Sequence, residues 1–445
     1  MAIQRATTLA EFHLAFRPEP LTEAEDIARF YRDELNELRD PNWRKKLAMR
    51  IRRAKGATHF KGAIAGHEGV GKTTELEVLL GELHEDFRVV RVDAFSDLNP
   101  QQFRVSDVFL AIMLNVLEEY GQEFNTILRN DLWEGILDFF PEYRIEIERT
   151  KGKEAGAEVE LGLSALSKLK LSIKAKSDEK QKQPLDSKRM SELLELLNRI
   201  LDVCQRGLKG KDLLIYLDNF EKGEIPVDFL KEMFLTFGSL LWSFHAHLLC
   251  TLPPALIFSD DAARLPFERD AINFLYDIPV LNEKHEPHEK GMAAIRSVVL
   301  ARSEESLFAE GQVDALIRAS GGSLRCLFSL IREAGLEAEL AGNACVTDAE
   351  ARRVVDLSIA PFRSRLGTGP YDTKQVTWDQ KLAKLLEVYE GKAIAPDDTL
   401  YSLLRSRAVL FVNGRGRYAV HPIAVDILRD AGKLAANCEG GVRPL

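Results

Sequence analysis

The sequence predicts an α/β protein: a parallel sheet with helices on both faces, then a helical region, then a small domain of helices and a strand pair. Three observations carry that expectation. Short apolar runs at 59–66 (HFKGAIAG), 87–95 (FRVVRVDAF), 212–220 (DLLIYLDNF), 245–252 (HAHLLCTL) and 271–280 (AINFLYDIPV) alternate with helix-length amphipathic stretches. That rhythm belongs to parallel strands joined by crossover helices. The first run passes through a glycine-rich loop into a helix, and near the other end LFVNGRGRYAVHP (410–422) places Asn413-Gly414, a tight-turn pair, between two strands.

At 445 residues the chain suits roughly two to four domains. The divisions expected are a helical segment over 1–58, the sheet domain over 59–282, a helical region over 283–345, a domain over 346–435 and a tail over 436–445. Apolar content of 45%, charged content of 29% and a net charge of −9 describe a soluble globular protein. That charge argues against a surface covered in nucleic-acid contacts, while leaving room for a local basic patch. The five cysteines are scattered with no C-x-x-C, which suits reduced thiols. The opening MAIQRATTLAEFHLAF lacks a signal-peptide apolar core, and no run reaches the roughly 20 apolar residues of a membrane-spanning helix. The expected location is cytoplasmic. Within 41–56 lie seven Lys or Arg and no acid after Asp40, with Trp43, Leu47 and Ile51 spaced i, i+4, i+8. This reads as a helix with an apolar inner stripe and a basic outer face, open to solvent or to a nucleic-acid or protein partner.

The motif that carries chemistry is Gly66-His67-Glu68-Gly69-Val70-Gly71-Lys72-Thr73, followed by Thr74. It fits G-x-x-x-x-G-K-[ST] between an apolar strand (60–65) and a helix (74–83), the context that the motif requires. Glycines let backbone N–H groups curl around a phosphate, and the helix N-terminus adds its positive dipole end. Lys72 is positioned to neutralise β- and γ-phosphates, and the Thr73 hydroxyl to meet Mg²⁺. The expected ligand is therefore Mg·ATP, with ADP after hydrolysis.

Such a loop works with an acid at the end of a second strand. Leu213 to Leu217 closes on Asp218, expected to hold Mg²⁺ through its water shell, and Glu221 is expected to polarise the attacking water. Thr251, at the end of the next strand, is a candidate γ-phosphate sensor. Arg264 and Arg269, just before the last strand, are candidates for a finger reaching a neighbouring subunit, or for plain surface charge. His245, His247, His285 and His288 lack Cys or carboxylate partners at ligand spacing and read as structural.

GHEGVGKTTEL, LIYLDNFEK and SGGSLRCLFSLI together resemble the AAA+ and STAND signal-transduction ATPases near the Orc/Cdc6 branch. The resemblance spans most of 17–435 and is strongest at the 66–73 loop. It implies a P-loop NTPase core, a helical lid and a C-terminal winged helix, with PDDTLYSLLRSRAV as that domain's second helix and 413–417 as its wing. It also implies a lid arginine that senses the γ-phosphate, which here is Arg325 after Gly321 and Gly322. YAVHPIAVDIL resembles the motif in which STAND proteins hold ADP with a histidine, here His421, although proline follows where aspartate is frequent. Switches of this kind hydrolyse slowly, assemble as homo-oligomers or control a separate effector, and operate in systems such as bacterial antiviral defence. The rival expectation is a DNA loader or a transposition or replication regulator gripping DNA with its winged helix.

One stretch breaks the α/β rhythm. In 158–176, Val159, Leu161, Leu163, Leu169, Leu171 and Ile173 alternate with polar residues, a period of two that predicts a β-hairpin inserted in the sheet domain. Reversal near Ser167 sets Glu160 opposite Lys174 and Glu158 opposite Lys176, both favourable pairs.

Overall fold

The structure is a computed structural model. It describes residues 3–100, 103–120, 131–140, 170–171, 186–222, 225–258, 260–367, 376–412 and 417–434. Five parallel strands form the main sheet: β1 (Lys61–Ala65), β2 (Phe87–Asp93), β3 (Asp212–Asp218), β4 (His247–Leu252) and β5 (Ile272–Phe274), in the spatial order β2-β3-β4-β1-β5. The interior strands β1, β3 and β4 are almost wholly buried, because helices cover both faces, whereas β2 at one edge alternates buried and open positions.

The pleat divides each strand between two cores. Leu213, Ile215 and Leu217 face one side with Val108, Ile112 and Leu197, while Leu214 and Tyr216 face the other with Leu76, Leu79 and Leu83. Trp43, Leu47 and Ile51 join the second of these cores. The helix Trp43–Ala54 thus buries the stripe its sequence announced, and its opposite face is laced with ion pairs. Arg44 meets Glu82, Arg50 meets Asp270, and Arg52 and Lys55 both meet Asp86.

A third core joins the helices α1 (Glu289–Arg302), α2 (Gln312–Ala319), α3 (Leu324–Leu340) and α4 (Asp348–Leu366). Leu9, Phe12 and Phe16 are part of it, with Phe12 stacked on Phe308. The first 58 residues are therefore no separate body: their start packs on the helical region and their end on the sheet. The last core gathers α5 (Trp378–Tyr389), α6 (Asp398–Arg405), the antiparallel pair β6 (Val409–Val412) and β7 (Arg417–Val420), and α7 (Pro422–Asp430).

Of the hairpin expected over 158–176, all but two residues lie outside the described ones. Lys170 and Leu171 are helical, where the alternation predicts strand, and Leu171 is exposed. A period of two fixes a shared face only when a strand partner is present, and neither residue pairs with a strand among the described residues. No helix among the described residues is long and apolar enough to cross a membrane. Cys204, Cys250, Cys326 and Cys345 are free thiols.

Lys61 opens β1 yet is buried, its Nζ donating to the carbonyls of Phe244 (2.8 Å) and Ala246 (2.5 Å). Burial pulls its ammonium down to about 7 from an ordinary 10.5. Since the folded value is the lower one, the unfolded chain binds more protons between these limits, and stability rises with pH across that window. We expect stability to climb by about 1 kcal/mol per pH unit from pH 7.5 to 9.5, and Lys61→Met to flatten the climb. Thermal unfolding of both proteins over this range decides it; parallel curves would mean that Lys61 holds its proton as firmly in the folded chain as in the unfolded one.

Candidate nucleotide site

The carboxyl ends of β1, β2, β3 and β4 share one edge of the sheet, where Asp93 pairs in register with Asp218 and Ile64 with Thr251. From that edge the 66–73 loop leads from β1 into the helix Lys72–Leu83. Gly69 lies in the left-handed region (φ +77°), and a Cβ there would stand 2.6 Å from Ser323 Oγ and 3.0 Å from Arg325 Cβ. Only glycine lets the start of α3 come this close to the loop. Gly71, also left-handed, caps the helix that begins with Lys72.

Lys72 is almost fully buried. Its Nζ donates to the carbonyls of Gly66 and His67 (2.8 Å each) and pairs with Glu221 Oε1 at 3.0 Å. Burial alone raises a carboxyl, but Lys72, with a lesser contribution from the Thr251 hydroxyl, holds Glu221 below its usual range. Thr251 Oγ1 accepts from the Phe220 N–H at 3.1 Å, which fixes the start of the 219–221 turn. Three expected site residues from three separate strand ends, Lys72, Glu221 and Thr251, thus form one buried group.

Asp218 sits differently. It is fully buried, accepts from the Asn219 N–H (2.8 Å) and is ion-paired with Arg91 of the neighbouring β2. Burial raises its carboxyl despite Arg91. It does not line the cleft beside the loop; Asn219, left-handed at φ +65°, and Glu221 do. That cleft is bounded by Gly69, Val70, Gly71, Lys72, Thr73 and Thr74 on one side, by Tyr31 and Phe30 of the N-terminal segment, and by Arg325 and Phe328 of α3.

Arg325 lies in the first turn of α3 and pairs with Glu68 of the 66–73 loop. Arg264 and Arg269 are exposed and away from the cleft, Arg264 pairing with Asp261 at 3.1 Å. The tempting histidines are locally satisfied: His245 by Asp202, His247 by Asp212, His288 by the Gly291 N–H, and His285 by a stack on Tyr389 at 3.9 Å.

His421 corrects an expectation. Instead of facing phosphates it is buried away from the cleft, as the cap of α7. Its Nδ1 accepts from the Ile423 N–H (3.2 Å), its Nε2 contacts the Ser320 carbonyl (3.3 Å), and its ring lies 4.7 Å from that of Phe362. A Cβ on Gly321 would stand 2.3 Å from this ring. Both ring nitrogens are committed to backbone, so the side chain serves as a peg between the C-terminal domain and the turn before α3. Burial, reinforced by Arg407, pulls its imidazole down to about 3 and keeps it neutral.

Two groups escaped the sequence reading. In the first, buried Glu75 in the first turn of the helix after the loop is gripped by Arg39 (3.4 Å), Arg44 (3.3 Å) and Asn36, while Arg39 also donates to the Val70 carbonyl at 2.6 Å. Thr74 Oγ1 accepts from the Leu21 N–H (3.0 Å), so the N-terminal segment is bound to the loop twice over. The second comprises His67, Asp277 and Arg407: Asp277, just past β5, accepts from Arg407 (2.9 Å) and contacts His67 Nδ1 (2.5 Å).

A glycine loop between the inner strand β1 and a helix, at the carboxyl edge of a parallel sheet, settles the fold class. This is a P-loop nucleotide-binding fold, with a helical C-terminal region. No family model matches the chain, and no curated protein matches it. Among solved structures it is similar to Cdc6p of Pyrobaculum aerophilum (11% identity, 94% of this chain and 98% of that one, TM-score 0.42). It is also similar to the Walker-type ATPase PABY2304 of Pyrococcus abyssi (12%, 93% and 99%, TM-score 0.44). A third is the Aeropyrum pernix Orc1 protein in complex with DNA (12%, 89% and 93%, TM-score 0.39).

Proposed function

We propose that this chain is an ATPase of the switch type, in which bound nucleotide sets the placement of the helical and C-terminal regions. The observation that carries the reading is the buried Lys72–Glu221 pair beside a phosphate-binding loop. A triphosphate entering the loop offers Lys72 a stronger anionic partner. Lys72 then leaves Glu221, and the freed carboxylate can accept a proton from a water attacking the γ-phosphorus. The ion pair thus keeps the base idle until substrate arrives. The Thr73 hydroxyl lines the cleft as a hard oxygen donor, the kind that suits Mg²⁺. Thr73 would hold that ion, whose chemistry is to neutralise charge on the phosphate oxygens; Asp218 would join it only by giving up Arg91 and turning into the cleft. The ribose and base would extend between Tyr31 and Phe328, which with Phe30 are the aromatic residues lining the cleft.

A protein that grips DNA through its basic helix is the weaker reading, because Arg44, Arg50, Arg52 and Lys55 are already neutralised by acids of the same chain. Partners of a switch are a second copy or a separate effector. The test of the site is titration of a fluorescent ATP analogue against the wild type and Lys72→Ala. We expect affinity to fall at least about a hundredfold, since a charge-assisted contact to two phosphates is lost. Equal affinities would remove the nucleotide from this loop.

A further inference from the structure

Asp277 is the point where three parts of the chain meet. It is fully buried, and a buried carboxylate persists only with charged or hydrogen-bonding partners. Its partners are His67 of the loop, Arg407 Nη2 and the Phe411 N–H (3.1 Å), and its own N–H donates to the Phe411 carbonyl at 3.0 Å. Burial would push this carboxyl up, but His67 and Arg407 hold it well below the usual range, so it stays charged. Arg407 follows α6 in a left-handed conformation (φ +60°) that turns its side chain back toward the sheet. Its other terminal nitrogen, Nη1, donates to the Glu68 carbonyl.

The C-terminal domain therefore holds two consecutive loop residues: His67 through Asp277, and Glu68 directly. The backbone carbonyl of His67 is one of the two on which the Lys72 ammonium rests. When Lys72 turns to a phosphate it gives up that carbonyl, and the His67–Glu68 peptide it releases lies between the His67 side chain held by Asp277 and the Glu68 carbonyl held by Arg407. We infer that Arg407 is a positioning residue of the nucleotide site, coupling the conformation of the 66–72 loop to the docking of the C-terminal domain. The coupling rests on the nucleotide-site reading above, and it replaces His421 as the link between the two. It is reciprocal: whatever a nucleotide does to the docking of 398–412, docking does to nucleotide affinity.

The test is hydrogen exchange on the full chain, alone and with ADP, combined with titration of a fluorescent ADP analogue. The variants are Arg407→Met and Arg407→Lys; a single lysine nitrogen cannot span both Asp277 and the Glu68 carbonyl. In the wild type ADP should change exchange in both 66–72 and 407–412. Arg407→Met should loosen both segments together, abolish the ADP effect on 407–412 and shift ADP affinity about fivefold or more. Arg407→Lys should restore the Asp277 contact and part of the coupling, and it carries the test alone should Arg407→Met fail to fold. A purely structural arginine would destabilise 407–412 and leave loop exchange and ADP affinity at wild-type values, which would overturn the inference. Should the wild type bind no nucleotide, the site reading falls, and exchange of the 66–72 loop in the nucleotide-free variants still decides whether Arg407 positions it.

Discussion

Glu221→Gln should retain nucleotide binding and lose about 10²–10⁴-fold in turnover. The amide keeps the shape of the side chain, and its oxygen can still accept from Lys72, so the buried turn at 219–221 has no reason to collapse. What it cannot do is take a proton. The paired state also changes: an amide holds Lys72 less firmly than a carboxylate 3.0 Å away, so ATP should bind as well as before or slightly more tightly. Phosphate release under saturating ATP, alongside a binding titration, separates the two effects. Wild-type turnover in the variant would remove Glu221 from the chemistry and leave Asp218, the acid that closes β3, as the next candidate. Loss of binding and turnover together would instead mark the Lys72–Glu221 pair as a structural strut of the loop.

The strands and the phosphate loop were legible because their signals are local. A run such as Leu213 to Leu217 is buried on both faces, so nearly every residue is apolar, and the glycines with Lys72 stand contiguously. The placement of Asp218 and Thr251 was legible for a related reason, since they stand at the ends of apolar runs and strand ends gather at one edge of a parallel sheet; Glu221 follows three residues after Asp218. Arg39, Glu75, Asp277 and Arg407 were not, because in sequence a buried arginine or acid looks like a surface one. Only its partner, far away in the chain, reveals the burial: Arg39 contacts the carbonyl of Tyr276, and Arg407 contacts Asp277 and Glu68. Sequence reading also could not tell that Asp218 is held by Arg91, a pairing across two strands separated by more than a hundred residues. The error at His421 is of a different kind. A histidine at the end of a strand and before a proline can meet a ligand or cap the next helix, and the choice was decided by Gly321, whose missing side chain leaves room for the ring.

The buried peg at His421 gives the second large expected effect, on stability across pH. Its imidazole titrates at about 3 in the folded chain, against an ordinary value of 6.5. The folded value being the lower one, the unfolded chain takes up the proton first as pH falls. Stability from this group is therefore complete above pH 6.5 and is lost progressively between 6.5 and about 3. At one pH unit per about 1.4 kcal/mol, roughly 2 kcal/mol should be gone by pH 5, before most carboxylates begin to titrate. The cause is physical: a charged ring would sit in a closed space beside Arg407 and Arg365, offset in part by the Ser320 carbonyl and, less, by Asp277. His421→Asn isolates the contribution, because its side-chain oxygen can stand in for Nδ1 and still cap α7. The variant should be less stable than the wild type at pH 7.5, having lost the contacts to Ser320 and Phe362. The gap should then narrow by about 2 kcal/mol between pH 7 and 5. His59, His247 and His285, whose imidazoles burial also lowers, remain in both proteins and cancel in the difference. Denaturant unfolding of the pair at pH 7, 6 and 5 measures that difference; a constant gap would mean that His421 takes up its proton in the folded chain as readily as in the unfolded one, and that the C-terminal domain yields to admit it.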